Sequence, residues 1–345
     1  IRLSEKEYVR AHDFRRYLHK NLEDFIIETP LENSLELLNK KFDPSQIKSI
    51  QEKWKPYDFK TQNIDEFLDE LNIDKTVEIS SIQGGYSHAL KQLNKFIDAG
   101  YQDYAKYRSD PSKEASSQLS PYFHFGQIST HEVFEKISNL ESWSPESIDP
   151  KMVGRREGWW GSTENFESFM DELITWRELG YHTCVRRANY NQYSSLPEWA
   201  IKTLHEHSTD EREHIYSLDE LTYSQTHDEI WNAAQNQLRT QGIIQNYLRM
   251  LWGKKILEWT PNPQLALSYM ITLNDRFSLD GRDPNSYSGV FWILGRYDRA
   301  WGPERNIYGK IRYMTSDSTA KKFNLKPYLE KWSNESLSLP TSLEK

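Results

Sequence analysis

The 345-residue sequence contains a single cysteine, Cys184. One thiol excludes an intramolecular disulfide and a metal site built from several cysteines, and no metal is predicted. The sequence also has no run of about eighteen apolar residues and no charged-then-apolar leader, so we expect neither a membrane span nor a secretion signal. Together these absences favour a reducing, intracellular setting.

Positive charge is scarce as well. Lys and Arg number 43 against 51 Asp and Glu, which gives a net charge of −8. This balance argues against a protein that coats nucleic acid non-specifically, although it leaves room for a local basic patch. The densest positive cluster is formed by Lys310, Arg312, Lys321 and Lys322. It is a candidate phosphate-contacting surface, and the alternative is an ordinary solvated face.

Alternating strand patterns are missing too, so no doubly wound sheet is expected and the predicted fold class is mainly α. Residues 4–27 predict an amphipathic helix with Ser4 as N-cap and Glu7 three residues on. Residues 31–80 predict short helices joined by surface connections, and residues 139–165 predict a loop or insertion. Further helices are predicted over 86–108, 166–185, 196–206, 226–241, 246–259 and 265–274.

Aromatic residues, in contrast, are abundant, with twelve Trp and twenty Tyr. Such rings suit stacking on flat ligands or bases, and they also fill cores. Trp252 and Trp259 are seven residues apart on one predicted helix, so they share a face about 10 Å apart along its axis. We interpret the stretch from Thr226 to Met314 as a site, because arginines and acids lie beside its tryptophans. Those tryptophans are Trp231, Trp252, Trp259, Trp292 and Trp301.

Two helix starts carry polar signals. Ser116, Ser117 and Ser120 lie just ahead of an apolar helix, where hydroxyls and free backbone N–H groups could cradle a phosphate. A plain serine N-cap is the alternative. Residues 226–229 have the capping-box pattern and predict Thr226 as the start of the helix that carries Trp231.

Two further sets of residues are candidates for binding. Glu172 and Trp176 are four apart, hence on one helix face, where they would serve a site or a core boundary. A turn-rich loop is predicted over 280–289. Its polar residues would support a ligand through an Asp–Arg pair or form a purely structural salt bridge. They are Asp280, Arg282, Asp283 and Asn285.

Longer motifs resemble the photolyase/cryptochrome family, most closely its class II cyclobutane-pyrimidine-dimer photolyases. They are YAKYRSDPSKEASSQLSPYFHFGQIS, ELITWREL, THDEIWNAAQNQL, NYLRMLWGKKILEW, LNDRFSLDGRDPN and AWGPERNIYGKIRYM. The resemblance covers roughly residues 82–332. It implies a helical FAD-binding, DNA-repair domain over 81–345, with 1–80 as the tail of an α/β antenna domain and a helical connector.

The resemblance also implies how FAD is held. Gln118 stands where class I members have an Arg, so the diphosphate cradle relies more on neutral donors. Arg249 and Asp280 match a buried ion pair beside the flavin ring, and Asp283 matches a carboxylate near its polar edge. Asn274 matches the class II asparagine that faces flavin N5, where an amide can donate or accept. The residues that match the diphosphate-binding stretch are Tyr104, Ser116, Ser117, Leu119 and Ser120.

For the substrate, Glu172 matches the acid that contacts the damaged base. Trp176 and Trp292 match the rings that wedge and stack on a flipped-out dimer, with Met250 between them. Extruding a dimer costs less than extruding a normal base. The class II electron-transfer chain is matched by Trp252, Trp231 and Trp259.

The implied activity is light-driven splitting of pyrimidine dimers by an electron from reduced FAD, on UV-damaged DNA, by a monomer in the cytoplasm or associated with DNA. From the resemblance we expect only the tail of the antenna domain in this chain, which begins at Ile1 rather than Met; the rest would be naturally absent, removed or simply not in this chain, and no antenna chromophore is expected in it. The loops on either side of the helix that carries Glu172 depart from the class II pattern.

Three alternatives remain open. A cryptochrome-type blue-light photoreceptor would share the flavin and the tryptophan chain without repairing DNA. A (6-4) photoproduct enzyme would need histidines over the flavin, and the central stretch holds only His227 at a helix start. A helical protein that binds DNA without flavin is the third alternative.

Overall fold

The structure is a computed structural model in which residues 4–27, 45–56 and 63–333 are described. The described backbone is mainly helical, as predicted. Within it, extended backbone pairs only at two isolated bridges, Arg10 with Tyr297 and Arg305 with Gly309. Residues 31–44 and 57–62 of the weakly periodic stretch lie outside the described part.

Contacts divide the chain into two compact units. One comprises Ile1–Ile27 and Glu78–Lys345, and the other comprises Glu28–Val77. The first two helices therefore belong to the larger unit. The functional assignments of 1–80 and 81–345 stay predictions.

Short helices occur in the described part of the smaller unit, as expected for residues 31–80. In chain order the α-helices of the described residues are α1 (Ala11–His19), α2 (Glu23–Ile27), α3 (Ser45–Lys53), α4 (Ile64–Glu70), α5 (Tyr86–Ala99), α6 (Tyr104–Tyr107), α7 (Ser120–His124), α8 (Thr130–Leu140), α9 (Glu164–Met170), α10 (Arg177–Arg186), α11 (Glu198–Glu206), α12 (Leu218–Thr222), α13 (Glu229–Gln241), α14 (Asn246–Trp259), α15 (Pro263–Phe277), α16 (Pro284–Ile293), α17 (Ser316–Lys322) and α18 (Lys326–Trp332). A π-helical turn, Asp171–Trp176, joins α9 to α10.

The single helix predicted over 4–27 is wrong. Helix α1 starts at Ala11, and Ser4 instead accepts a hydrogen bond from the Lys6 backbone N–H at 3.0 Å. A serine that closes a local turn competes with the helix for the same backbone group. The chain breaks again after His19 before α2 begins at Glu23.

Helix α14 lies at the centre of the tryptophan-rich stretch, since it packs against α13, α15 and α16. The predicted break at Gly242 is confirmed, because this residue ends α13 with a left-handed φ of 72°. The predicted start at Thr226 is wrong. Asp228 caps α13 by accepting from two backbone N–H groups of the first turn, while the Thr226 hydroxyl donates to Asn232.

The loops are mostly where they were predicted. Residues 139–165 contain only the end of α8 and short 3-10 turns before α9 begins. Trp159 and Trp160 in this segment are buried and belong to the core that includes Phe166 and Phe169. The predicted loop over 280–289 is longer than the observed one, because α16 already starts at Pro284. The fixed φ of this proline suits the first helical position.

Candidate functional site

Three polar side chains from different elements meet beside α14. Arg249, in the first turn of α14, donates to the Asn274 side-chain oxygen at 2.8 Å. It also pairs with Asp280, at 3.5 Å between the guanidinium and the carboxylate. Asn274 is buried on α15 and donates its amide N–H to Asp275. The ion pair of Arg249 and Asp280 is therefore present, and Asn274 joins it.

The charge of Asp280 is stabilised locally. Burial would raise the pKa of this carboxyl, but the charge of Arg249 and hydrogen bonds from Ser278 and Ser120 hold the pKa below its ordinary value. Asp280 is thus a carboxylate at neutral pH. Within the serine-rich stretch, Ser120 is thus the residue that helps to lower the pKa of Asp280.

The serine-rich stretch forms an irregular turn. Gln118 has a left-handed φ of 54°, and the following helix α7 has only five residues. Leu119, which is fully buried, occupies the cap position, and no side chain caps the helix there. The alternative of a plain serine N-cap is therefore wrong. Ser116 and Gln118 line a cavity of about 180 Å³ that Arg249, Asn274 and Asp280 do not line.

Tyr104 lies apart from the serines in its contacts. Its buried ring stands edge-on to Phe96 and Phe169, with centroids 5.6 and 5.3 Å away. Burial and the charge of Glu172 raise the pKa of its hydroxyl, and Arg108 opposes them. The structure thus groups Tyr104 with Arg108 and Glu172.

Asp283 has a clear local role. Its carboxylate caps α16 by accepting from the Asn285 backbone N–H at 2.8 Å and from the Asn285 amide at 2.9 Å. Its other oxygen lies 3.3 Å from His124 Nδ1. The cap is visible in the sequence as Asp-Pro-Asn. His124 was missed, because it comes from α7 and only the fold brings it to Asp283.

Glu172 lies in the π-helical turn that interrupts the helix predicted over 166–185. Its carboxylate pairs with Arg108 at 2.5 Å, and its side chain is 32% exposed. Burial raises the pKa of Glu172, and the nearby Arg108 opposes this rise without cancelling it. Glu172 can therefore meet a ligand and hold a proton more readily than an ordinary glutamate. Arg108 was missed as a site residue.

Two tryptophans meet next to this turn. The rings of Trp176 and Trp292 are 4.7 Å apart and T-shaped, at 62°. Both are partly exposed, as is Met250 on α14. The Trp176 indole N–H donates to Asp171 at 3.1 Å. Asp171 was missed because nothing in its sequence position separates it from an ordinary polar helix residue.

The three tryptophans of the implied electron-transfer chain form a row. Trp231 lies parallel to Trp252, with ring centroids 6.5 Å apart and a 2° interplanar angle. Its other neighbour is Trp259, 5.6 Å away and edge-on. All three are buried, and Trp231 on α13 bridges the two rings that share a face of α14. Indole rings at these distances can exchange an electron by short steps.

The four basic residues fall into two groups by their contacts. Lys310 pairs with Glu304 at 3.0 Å, and the Arg312 guanidinium lies 5.1 Å from the Trp301 ring. Lys322 lies over the Tyr247 ring at 4.4 Å, at the end of α17 that also carries Lys321. All four side chains are exposed.

Three features of the described part of the chain bear on metal binding, membrane insertion and thiol chemistry. No group of three or more His, Cys, Asp or Glu side chains there could hold a metal ion. None of the helices in those ranges is long and apolar enough to cross a membrane. Burial raises the pKa of the Cys184 thiol to about 11, so the thiol is protonated at neutral pH.

No protein-family model matches the sequence. Individual proteins do. The chain is 35% identical to a deoxyribodipyrimidine photo-lyase of Methanothermobacter thermautotrophicus, over 95% of this chain and 64% of that protein. It is 39% identical to the deoxyribodipyrimidine photo-lyase of Potorous tridactylus, over 76% of this chain and 46% of that protein. The chain therefore spans between about half and two thirds of the length of these relatives.

Similarity to the cryptochromes in sequence is shorter. Cryptochrome-2 of Arabidopsis thaliana is 47% identical over 51 residues, or 15% of this chain and 8% of that protein. Among solved structures, a class III photolyase from Agrobacterium tumefaciens matches with a TM-score of 0.54 and 17% identity. That match covers 79% of this chain and 50% of the other, and it bears on the fold alone.

Proposed function

We propose that this chain, as a member of the photolyase/cryptochrome family, binds FAD and uses light to repair cyclobutane pyrimidine dimers in DNA, as class II photolyases do. Membership of the family is supported by the relatives and by the fold. The observation that carries the proposal is that α14 contributes both to a cluster of polar side chains and to a row of buried tryptophans. Arg249 belongs to the polar group with Asn274 and Asp280, and three residues later Trp252 starts the row of buried indoles. An oriented polar group beside an oxidisable ring suits a flavin that works by electron transfer.

The side chains present fit FAD. Arg249 and Ser120 are donors near Asp280, and the Asn274 amide can donate or accept, as a flavin nitrogen that gains and loses a proton requires. Gln235, whose oxygen accepts from the Trp252 indole at 2.8 Å, has a buried Nε2 with no protein partner within the described ranges. Buried donors need acceptors, and an oxygen or nitrogen of the flavin would be one.

In the proposed reaction, bound reduced FAD supplies the light-driven electron that splits the dimer. The residues of the chain bind and orient. Trp176 and Trp292 stack on the extruded dimer beside Met250, and Glu172 hydrogen-bonds to a dimer carbonyl. The raised pKa of Glu172 favours a proton on its carboxyl, which can then donate. Trp259, Trp231 and Trp252 pass electrons inward in that order.

The decisive experiment is a repair assay in light and in darkness. The protein is reconstituted with FAD, photoreduced and mixed with an oligonucleotide that carries one thymine dimer. We expect the dimer to disappear only under illumination. Persistence of the dimer in the light, with flavin bound, would contradict the proposal.

A matched variant locates the activity in this site. Glu172→Ala is expected to keep FAD and to lower the repair yield at least about tenfold, since a hydrogen bond to the reacting base is lost. The second candidate function is a photoreceptor, which the short similarity to a cryptochrome favours. Photoreducible flavin without repair, in the wild-type chain, would support that function.

A further inference from the structure

Arg15 of helix α1 forms a buried ion pair with Asp171 in the π-helical turn. Arg15 and Asp171 form two hydrogen bonds, both of 2.9 Å, from Nε to Oδ1 and from Nη2 to Oδ2. Their side chains are only 9% and 6% exposed. Removing two charges from water costs about as much as their attraction returns, so a buried pair is a weak source of stability. Another reason for this pair is needed.

The ion pair also contacts the indole of Trp176. The Asp171 oxygen that accepts from Arg15 also accepts from the Trp176 indole N–H, at 3.1 Å. The Arg15 guanidinium carbon lies 5.7 Å from the centroid of the Trp176 ring. The indole is thus fixed at its N–H edge by a carboxylate, and that carboxylate is fixed by a bidentate arginine.

The π-helical turn makes this contact possible. Asp171 and Trp176 are the first and last residues of the turn, five positions apart. Regular α-helix brings residues three and four apart together, whereas the wider π turn aligns residues near five apart. Such turns are frequent at functional sites.

Trp176 is held from two sides. Its ring meets Trp292 at 4.7 Å, while its N–H meets Asp171, and part of the side chain remains exposed. Without Asp171 the indole N–H could bond to water instead, and the ring could turn about its side-chain torsions. A stacking residue that shifts by about 1 Å loses much of its effect on a bound partner.

We infer that Arg15 and Asp171 are positioning residues that hold the Trp176 indole in the orientation that accepts the extruded dimer. This inference rests on the proposed function, in which Trp176 contacts the lesion. It gives α1, which the sequence assigned to the tail of another domain, a part in substrate recognition.

The test compares two double variants of the full FAD-bound chain. R15M/D171N removes the ion pair and keeps an oxygen that can accept from Trp176, whereas R15M/D171L removes that acceptor too. Dissociation constants are measured in darkness for a duplex with one thymine dimer and for the undamaged duplex. We expect R15M/D171L to bind the dimer duplex about tenfold more weakly and R15M/D171N to stay within about threefold, as the loss of one hydrogen bond implies.

Two readouts separate positioning from general damage. Binding of undamaged duplex and the rate of flavin photoreduction should be unchanged in both double variants. In a W176F background the effect of R15M/D171L should fall below about twofold, because the indole N–H through which Asp171 acts is gone. An undiminished effect in that background would overturn the inference.

A substitution at position 176 tests the same contact without disturbing the buried pair. β-(3-Benzothienyl)alanine keeps the shape of the indole and lacks its N–H, so we expect a loss of dimer affinity similar to that of R15M/D171L. Full affinity in this variant, while W176F binds weakly, would overturn the inference and leave the proposed function intact. Full affinity in W176F would instead remove Trp176 from the proposed lesion site.

Discussion

At the scale of single residues, burial acts on two carboxyls of the site with opposite results. It favours the neutral acid in both Glu172 and Asp280. For Asp280, Arg249 and two hydroxyl donors outweigh burial, so its pKa is lowered and it remains an anion that holds the arginine. For Glu172, Arg108 offsets burial only in part, and its pKa stays raised. The two environments suit one anchor and one group that can donate a proton.

A histidine gives the clearest pH prediction. His19 stacks on Trp159 at 3.9 Å, and its Nδ1 accepts from the Gly154 backbone N–H at 3.1 Å. Burial, helped by Arg15, lowers its pKa from 6.5 to about 4. Between these pH values the unfolded chain binds a proton that the folded chain does not. The contribution of His19 to the free energy of unfolding is therefore fully present above pH 6.5, and it is lost as the pH falls toward 4.

We expect His19→Phe, which keeps a ring on Trp159, to lower the free energy of unfolding by about 1 kcal/mol at pH 7.5 through the lost hydrogen bond. The difference from wild type should shrink as the pH falls below 6.5, because only the wild type loses the His19 contribution. Urea unfolding at several pH values measures it. His12→Phe, at an exposed position of the same helix, is the control. Stability curves of His19→Phe and wild type that stay parallel would contradict the assignment.

At the scale of elements, α14 connects the cluster of Arg249, Asn274 and Asp280 to the row of tryptophans. Trp231 on α13 is the middle member of that row, because it contacts both Trp252 and Trp259. Phe keeps an aromatic ring and is much harder to oxidise, but it is smaller than indole and lacks the N–H that Trp231 donates to the Trp252 carbonyl at 3.0 Å. A substitution there should interrupt electron flow and also cost some packing and one hydrogen bond.

We expect Trp231→Phe to slow photoreduction of bound FAD at least about tenfold, since one missing step of electron transfer adds more than about 1.4 kcal/mol to the barrier. Repair by chemically reduced protein should stay near the wild-type rate, because the lesion does not contact this ring. Absorbance during illumination follows the first quantity. Trp332→Phe, at another buried tryptophan outside the row, should leave both unchanged. Normal photoreduction in Trp231→Phe would exclude the row as the electron path.

The contact of α14 with α16 depends on a glycine. A Cβ at Gly253 would lie 2.1 Å from the Ile293 side chain and 3.0 Å from the Met270 sulfur. Gly253→Ala should therefore destabilise the fold by about 1 to 3 kcal/mol, as overpacking does. Gly289→Ala in α16, where a Cβ would meet no atom within 4 Å, should be stabilising by up to about 1 kcal/mol. Thermal melts of the two variants check this contrast, and equal melting temperatures would contradict it.

Local patterns in the sequence predicted most helices and the break at Gly242, because periodicity and end signals act within a few residues. The same patterns gave the wrong first residue for α1 and α13, where Ser4 and Asp228 bond to different backbone groups than expected. They could not reveal the contact of Arg15 with Asp171. These residues are far apart in sequence, and the π turn that aligns Asp171 with Trp176 has no sequence signal of its own.

At the scale of the whole molecule, the net negative charge is compatible with DNA as the proposed partner, because exposed positive side chains are present locally. The chain carries −8 overall, yet Lys310, Arg312, Lys321 and Lys322 are all exposed. Local cations can meet phosphates while the acidic remainder repels DNA from other faces. Under the proposed function, selectivity for a lesion would depend on Glu172, Trp176 and Trp292, since phosphate contacts carry no information about the base.

Binding of FAD, the proposed cofactor, should stabilise the whole chain. A ligand that binds only the folded state adds about 2.7 kcal/mol of stability at a hundred times its dissociation constant. FAD at that concentration should therefore raise the melting temperature. Riboflavin, which lacks the diphosphate and the adenosine, should raise it less at equal concentration, because Ser116, Ser117 and Ser120 would have no phosphate to bind.

Arg249→Gln should reduce the FAD-dependent rise further. It leaves the partly buried Asp280 without its cation and removes a donor from the group with Asn274. Lys310→Gln, at an exposed position, is the control. Differential scanning calorimetry with each flavin measures the melting temperature, and isothermal titration calorimetry measures the affinity. If riboflavin stabilised the wild type as strongly as FAD, the serine-rich turn would not be a diphosphate cradle, while an effect of Arg249→Gln on both flavins would still place the ring beside α14.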